Sequence, residues 1–176
     1  MRRIVFDRKD AVMRFVASMT GESQYDGCST LGLEKDGEIV AGVVYQGHNG
    51  PNVLMHFALG GSRHVITPAF VCAAFMYPFV VLRCHRVTGL VRSDNIEAHA
   101  LDEHLGFVQE GVMREGAGDR GDFIMYGMLG RECRFLRGRY LAALQRELNS
   151  CEGRRGDRPQ GQPGPSVNYG VDLPSR

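Results

Sequence analysis

The sequence predicts a mixed α/β sheet, mostly antiparallel, with a strand–helix–strand unit at its centre. Three observations lead there. Residues 29–35 and 38–46 form a hairpin pattern around Lys35-Asp36-Gly37. The run after Thr67-Pro68, AFVCAAFMYPFVVLR, is apolar nearly all round, so it must be buried against a sheet. Val87 to Met128 then reads as a β-like run, a helix opened by Asn95 and closed by Gly106, and two further β-like runs.

The elements follow in order. Arg3 to Phe6 is a short strand, and Asp7 is expected to cap a helix from about Arg8 to Met19, with Asp10 completing an imperfect capping box. Val12, Met13, Val16 and Met19 share its inner face, and Gly21 stops it. The second hairpin strand, EIVAGVVYQ, contains Gly42, which leaves room for a close neighbour or marks a bulge. Asn52 to Leu59 is the next strand. Thr67 caps the apolar helix with Pro68 at its first position, and Pro78 bends or ends it. His85 to Val91 is a strand. The Asn95 helix packs through Ala98, Leu101 and Leu105. Phe107 to Met113 and Phe123 to Leu129 pair across Gly116–Gly121. A final amphipathic helix is expected over Arg131–Leu148, with Leu136, Tyr140, Leu144 and Leu148 on one face. These elements form one domain, residues 1–148. From 149 to 176 the chain turns Gly-, Pro- and Arg-rich without periodicity, which reads as a flexible tail.

Composition narrows the function class. Hydrophobic residues make up 43% of 176, enough for a core, and the net charge of +1 does not suggest a general polyanion binder but permits a local basic patch. The five cysteines are scattered with no CxxC, as expected of reduced thiols. The longest apolar stretch, Val65–Leu82, is broken by prolines and is a poor membrane span, and the N-terminus has no apolar leader. A cytoplasmic protein is expected.

The order of elements, with Asn95-x-x-Ala98, then Leu105-Gly106-Phe107, then Glu110-Gly111 and Arg114, resembles the GNAT superfamily of N-acetyltransferases. Within it the match is closest to the ribosomal-protein N-acetyltransferase-like branch and to small phage- and prophage-encoded acetyltransferases. Arg86-Val87-Thr88, Gly127-Met128 and Glu132-Cys133 point the same way. The resemblance implies acetyl-CoA, or another acyl-CoA, as donor. The donor would lie in a V-shaped opening between strands 52–59 and 86–91. Pantetheine would pair with backbone at Phe57, Ala58 and Leu59, and pyrophosphate would sit over the loop and helix start, Arg63, His64, Val65, Ile66 and Thr67. Arg92 can reach a phosphate, and Asn95 can bond the pantetheine arm. The family's usual loop, Gln/Arg-x-x-Gly-x-Gly/Ala, stands here as Arg63-His64-Val65-Ile66-Thr67-Pro68, without its glycines.

Amide formation needs an amine stripped of a proton, a stabilised oxyanion and a protonated leaving thiolate. Direct transfer in a ternary complex needs no enzyme nucleophile. His56 is the first candidate for base, and Tyr45 and His48 are candidates to orient or deprotonate the acceptor. Asp102 stands seven residues after Asn95, where many GNAT members carry a thiolate-protonating tyrosine. It can act as an acid if burial raises its pKa. Glu110, Arg114 and Tyr126 can line the acceptor side. No metal is expected, because Tyr45, His48 and His56 lack ligand spacing. The expected function is acetyl transfer to a primary amine on a small molecule or a protein. Three alternatives stay open: a non-catalytic binding protein that retains this fold, an oligomeric adaptor, such as a homodimer, whose final helix makes the interface, and a phage enzyme modifying nucleic-acid bases.

Overall fold

The computed structural model describes residues 2–22, 25–61 and 65–152. Seven strands form one sheet: β1 Arg2–Val5, β2 Ser29–Lys35, β3 Glu38–Gln46, β4 Asn52–Leu59, β5 Arg86–Arg92, β6 Val108–Met113 and β7 Phe123–Leu129. Their spatial order is β1-β2-β3-β4-β5-β7-β6. Every neighbouring pair is antiparallel except β4–β5, which is parallel. The helices are α1 Lys9–Thr20, α2 Pro68–Met76, α3 Ile96–Leu105 and α4 Gly138–Glu152. This is the mixed sheet with a central strand–helix–strand step that the sequence predicts.

Helix α1 covers one face. Val12, Val16 and Ala17 pack with Val5, Tyr25, Cys28, Val44 and Ala58. Gly42 makes this contact possible, because a Cβ there would come within 2.8 Å of Val16 Cγ2 and 3.0 Å of Val12 Cγ1. The other face carries the larger core, in which α2, α4 and α3 lie over β3, β4, β5 and β7. Every residue of α2 from Ala69 to Phe75 is buried. Phe70 and Phe75 are fully enclosed, and each contributes roughly 1.5–3 kcal/mol by transfer from water. Phe75 stacks on Phe135 at 5.1 Å, which seats the start of α4 against α2.

The local signals explain the ends of the elements. Asp36 and Gly37, at φ 53° and 94°, form the tight left-handed turn between β2 and β3. Thr67 Oγ1 accepts from the Phe70 amide, and Asn95 Oδ1 accepts from the Ala98 amide, so both expected caps are formed. The regular α turn ends around Pro78 as expected, with α2 closing at Met76. The chain widens into one π turn over Tyr77–Val81, with the Leu82 amide donating to the Tyr77 carbonyl at 2.9 Å.

Four expectations need correcting. Helix α1 begins at Lys9 with Arg8 at the cap position and no side-chain cap, so the Asp7 box does not form. Arg8 is drawn instead to Glu34 and to the Gly37 carbonyl. Met19 is half exposed, and Ala17 takes the inner position. Helix α4 starts seven residues later than expected, because Gly130–Cys133 makes a turn and Arg134–Leu136 a single 3₁₀ turn. The same helix runs on through Glu152, four residues into the stretch read as tail, and the remainder of that stretch lies outside the described residues. Among the described residues no helix is long and apolar enough to cross a membrane.

Candidate active site

The site begins where two strands part. β4 and β5 pair only at Asn52 with Arg86, Val53 with Val87 and Leu54 with Thr88. Beyond that point β4 stays with β3 as far as Leu59, and β5 stays with β7 as far as Arg92. A wedge therefore opens between residues 55–59 and 89–92. The β4 edge that faces it has no strand partner, which leaves main-chain donors and acceptors for an extended ligand. Phe57, Ala58 and Leu59 lie on that strand. Helix α2 starts at the wide end, with Val65, Ile66 and Thr67 leading into it. Pro68 lacks an N–H, and the Phe70 amide is already bonded to Thr67, so this helix start offers fewer free donors than a glycine-rich one. Arg63 and His64 lie outside the described residues.

Strand alternation divides the side chains around the wedge between two faces. On the α1 face, His56 follows Leu54 two residues past the last β4–β5 pair. Its Nε2 lies 3.0 Å from Gln46 Nε2, and Tyr25 packs over the ring at 4.8 Å. Burial lowers its pKa to about 4, so the imidazole is neutral at pH 7. Next to it a groove of about 460 Å³ is lined by Asn52, Leu54, Arg86, Thr88, Leu90, Glu110, Met113 and Met125.

On the opposite face, Asp102 of α3 lies against Gly89 of β5. Burial raises its carboxyl to about 7, and among the described residues it has no hydrogen-bond or ion-pair partner. His99, one turn earlier, bonds the Tyr126 hydroxyl through Nδ1 at 3.0 Å. In the sequence His99 stands out only as a helix-face residue. Its spacing of three from Asp102 is the one signal available there, since that places both on one side of the helix.

The other candidates fall elsewhere. Tyr45 faces the α2 core, where its hydroxyl donates to the Ala74 carbonyl at 2.7 Å, so it and His56 are on opposite sides of the sheet. His48 is exposed in the loop after β3. Tyr45, His48 and His56 do not converge, and among the described residues no group of three or more His, Cys, Asp or Glu side chains is placed to hold a metal. Arg92 is occupied by Asp94 at 3.0 Å and Asp119 at 2.8 Å. Asn95 is occupied as the α3 cap. Glu110 lines the groove, Arg114 lies beyond it with Glu115 and Asp122, and Tyr126 is on the far face. Cys72 is buried, which pushes its thiol up to about 11 and removes it as a nucleophile.

No family model matches the chain, and no curated protein matches it. Solved structures do. Mutant forms of the spermidine/spermine N-acetyltransferase SpeG from Vibrio cholerae match at 16% identity over 85% of this chain and 98% of theirs, with a TM-score of 0.56. A chimera of spermidine N-acetyltransferase SpeG from Vibrio cholerae with hSSAT matches at 16% identity over 77% and 99%, with a TM-score of 0.59. A probable acetyltransferase matches at 22% identity and a TM-score of 0.50, over 60% of this chain, which spans 62% of the length of that one. At these identities the likeness establishes the fold, and the chain has the fold of the GNAT-superfamily acetyltransferases.

Proposed function

We propose that the protein is an acyl-CoA-dependent N-acyltransferase that moves an acetyl group from acetyl-CoA to a primary amine by direct transfer in a ternary complex. One observation carries the reading: the parallel β4–β5 pair ends at Leu54 and Thr88, and the resulting wedge has His56 on one face and Asp102 on the other. The open β4 edge at Phe57, Ala58 and Leu59 suits the pantetheine arm, and Val65, Ile66 and Thr67 border the mouth. Acetyl-CoA supplies the activated acyl group. The residues of the chain do the rest.

The amine approaches from the α1 face. His56, neutral and tethered to Gln46, takes the N–H proton of the adduct directly or through water. Asp102 keeps a proton on its carboxyl near neutral pH and gives it to the thiolate on the other face. The two groups act from opposite faces of the sheet, and a carboxyl near 7 holds its proton more tightly than an imidazole near 4, so the acid does not discharge into the base. The ribosomal-protein and phage branch rests on the motif from Asn95 to Arg114 and remains part of this reading, as does a site of action in the cytoplasm. The oligomeric-adaptor alternative, with the final helix as its interface, is less favoured, because Leu144 is buried and Leu136 and Tyr140 pack on the core of the same chain.

Calorimetric titration with acetyl-CoA, followed by an assay for thiol release with a panel of amines, tests the proposal. Saturable binding and amine-dependent thiol release are expected. Absence of acetyl-CoA binding would refute it.

A further inference from the structure

The wedge accounts for the donor, but the groove beside it has its own construction. β6 carries a bulge between Gln109 and Gly111, and the extra residue is Glu110. Bulges re-aim side chains, and this one lays Glu110 across the sheet face onto Arg86 of β5, two strands away, at 2.6 Å. The pair crosses directly over Gly127. A Cβ on that residue would collide with the Glu110 carboxylate and come within 2.6 Å of Arg86 Nη2, so only glycine lets the pair lie flat. Arg86 is held from the other side as well. It donates to Thr88 Oγ1 at 3.2 Å, and that hydroxyl donates to Asn52 Oδ1 at 2.8 Å. Arg86 therefore stays in place if Glu110 turns away from it.

The position is also informative. Gly127 pairs with Thr88, and Thr88 pairs with Leu54, the last β4 residue before the wedge. The ion pair thus lies level with the apex, on the face from which an amine would approach. From there toward the opening the groove is floored by Leu54, Leu90, Met113 and Met125. Among its lining residues Glu110 is the single acid and Arg86 the single base. Both side chains are about a third exposed, at 32% and 30%, so a ligand can reach them.

Resting on the acyltransferase reading, we propose that the Arg86–Glu110 pair is the acceptor anchor, and that the acceptor is an α-amino acid with an apolar side chain. Charge balance selects this class. A plain ammonium ion taking Glu110 leaves Arg86 without its carboxylate, and a plain carboxylate taking Arg86 strands Glu110. A zwitterion satisfies both, exchanging one internal pair for two intermolecular ones. A polyamine would need several carboxylates, and the groove has one. The apolar side chain then lies over the two methionines, which adapt to varied shapes.

The chemistry balances. The bound ammonium gives one proton to solvent at the open groove, and Glu110 stays a carboxylate. The amine lone pair forms the C–N bond at the thioester carbonyl, and the C–S bond breaks. One of the adduct's two N–H protons goes to His56 and the other stays on the amide nitrogen, while the departing sulfur takes a proton from Asp102. Both groups reset through water, so ammonium and thioester become amide, thiol and one released proton.

The test compares leucine with isoamylamine, the same skeleton without its carboxylate, and with spermidine, in thiol-release assays on the full chain. Leucine is expected to exceed isoamylamine in kcat/KM by about tenfold or more, the size of a charge-assisted contact. Arg86→Met should raise KM for leucine alone and erase that preference. Glu110→Gln should lower kcat/KM for both while acetyl-CoA binding stays unchanged. The exchange of Arg86→Glu with Glu110→Arg keeps the ion pair and the fold but reverses its polarity, and leucine preference should still be lost. Equal use of leucine and isoamylamine, preference for spermidine, acetyl-CoA binding without transfer to any of the three, or a preference that survives Arg86→Met would overturn the proposal. Failure of the parent protein to bind acetyl-CoA would instead defeat the acyltransferase reading itself.

Discussion

Asp102 rests on Gly89: a Cβ built at Gly89 would stand 3.2 Å from Asp102 Oδ2. Helix α3 and strand β5 approach closely there because β5 has no side chain at that point on its inner face. The contact sets where the carboxyl sits relative to the edge of the wedge. Gly89→Ala should push the carboxyl aside by a few tenths of an ångström. We expect kcat to fall about three- to tenfold with acetyl-CoA affinity unchanged, since small misplacements of a reacting group are costly. Steady-state kinetics beside calorimetry would check this, and an unaltered kcat would count against Asp102 as the acid.

The pH dependence of turnover follows from the same residue. With a carboxyl pKa raised to about 7, the acid form is present below neutrality and is lost above it. The rate should therefore decline with an apparent pKa near 7 on the alkaline side. Asp102→Asn should lower kcat by about 10²-fold or more and abolish that limb of the profile.

Stability should fall with rising pH as well, but over a lower range. The folded pKa of Asp102 lies above its unfolded value of 3.8, so the unfolded chain holds fewer protons between about pH 4 and 7. Its contribution to stability falls as pH rises through that window, by a few kcal/mol at most, since each pH unit between the two values is worth about 1.4 kcal/mol. Asp102→Asn should raise Tm at pH 8 and change it little at pH 4. Thermal melts of both proteins at the two pH values would decide.

His56 behaves in the opposite sense. Burial lowers its folded pKa to about 4 from 6.5, so the unfolded chain binds the proton first on acidification. Stability from this group is present above pH 6.5 and is lost as pH falls toward 4. His56→Ala should therefore flatten the acid limb of a stability profile. The same variant should slow transfer by about 10²-fold while leaving donor binding largely intact. Rates equal to the parent's would remove His56 from the mechanism.

Leu144 tests the role of the last helix. It is 3% exposed within one chain and packs in the core that α2 shares with α4. Leu144→Ala should cost about 2–5 kcal/mol in urea denaturation, as expected for a cavity in a closed core. A stability loss near zero accompanied by a change in oligomeric state would restore the interface reading of α4.

The boundaries and caps of this fold are readable one residue at a time. Asn95, Gly106, Thr67-Pro68 and Asp36-Gly37 each act on their own neighbours in the chain, through a cap, a left-handed residue or a tight turn. The alternation that places His56 opposite Met55 and Phe57 is equally local, and so is the seven-residue step from Asn95 to Asp102. Asp7 misleads because a distant residue intervenes: Arg8 answers to Glu34, 26 positions away.

The site depends on relations of that second kind. Nothing near Leu54 or Thr88 in the chain tells that β4 and β5 part company after them, because strand pairing is settled by partners far apart in sequence. The burial that raises the Asp102 carboxyl comes from strand β5 beneath it, and the pairing of His99 with Tyr126 spans 27 residues. Tyr45 sits on a strand beside the wedge, as an acceptor residue would, yet its side chain faces Ala74 and the α2 core. The pairing of Arg86 with Glu110 over Gly127 needs a bulge, a glycine and two different strands to coincide. Local propensity and periodicity write the elements into the chain. Which edges stay open, which charges meet and which carboxyl loses its water are properties of the packed sheet, because desolvation and pairing energies exist only once distant segments touch.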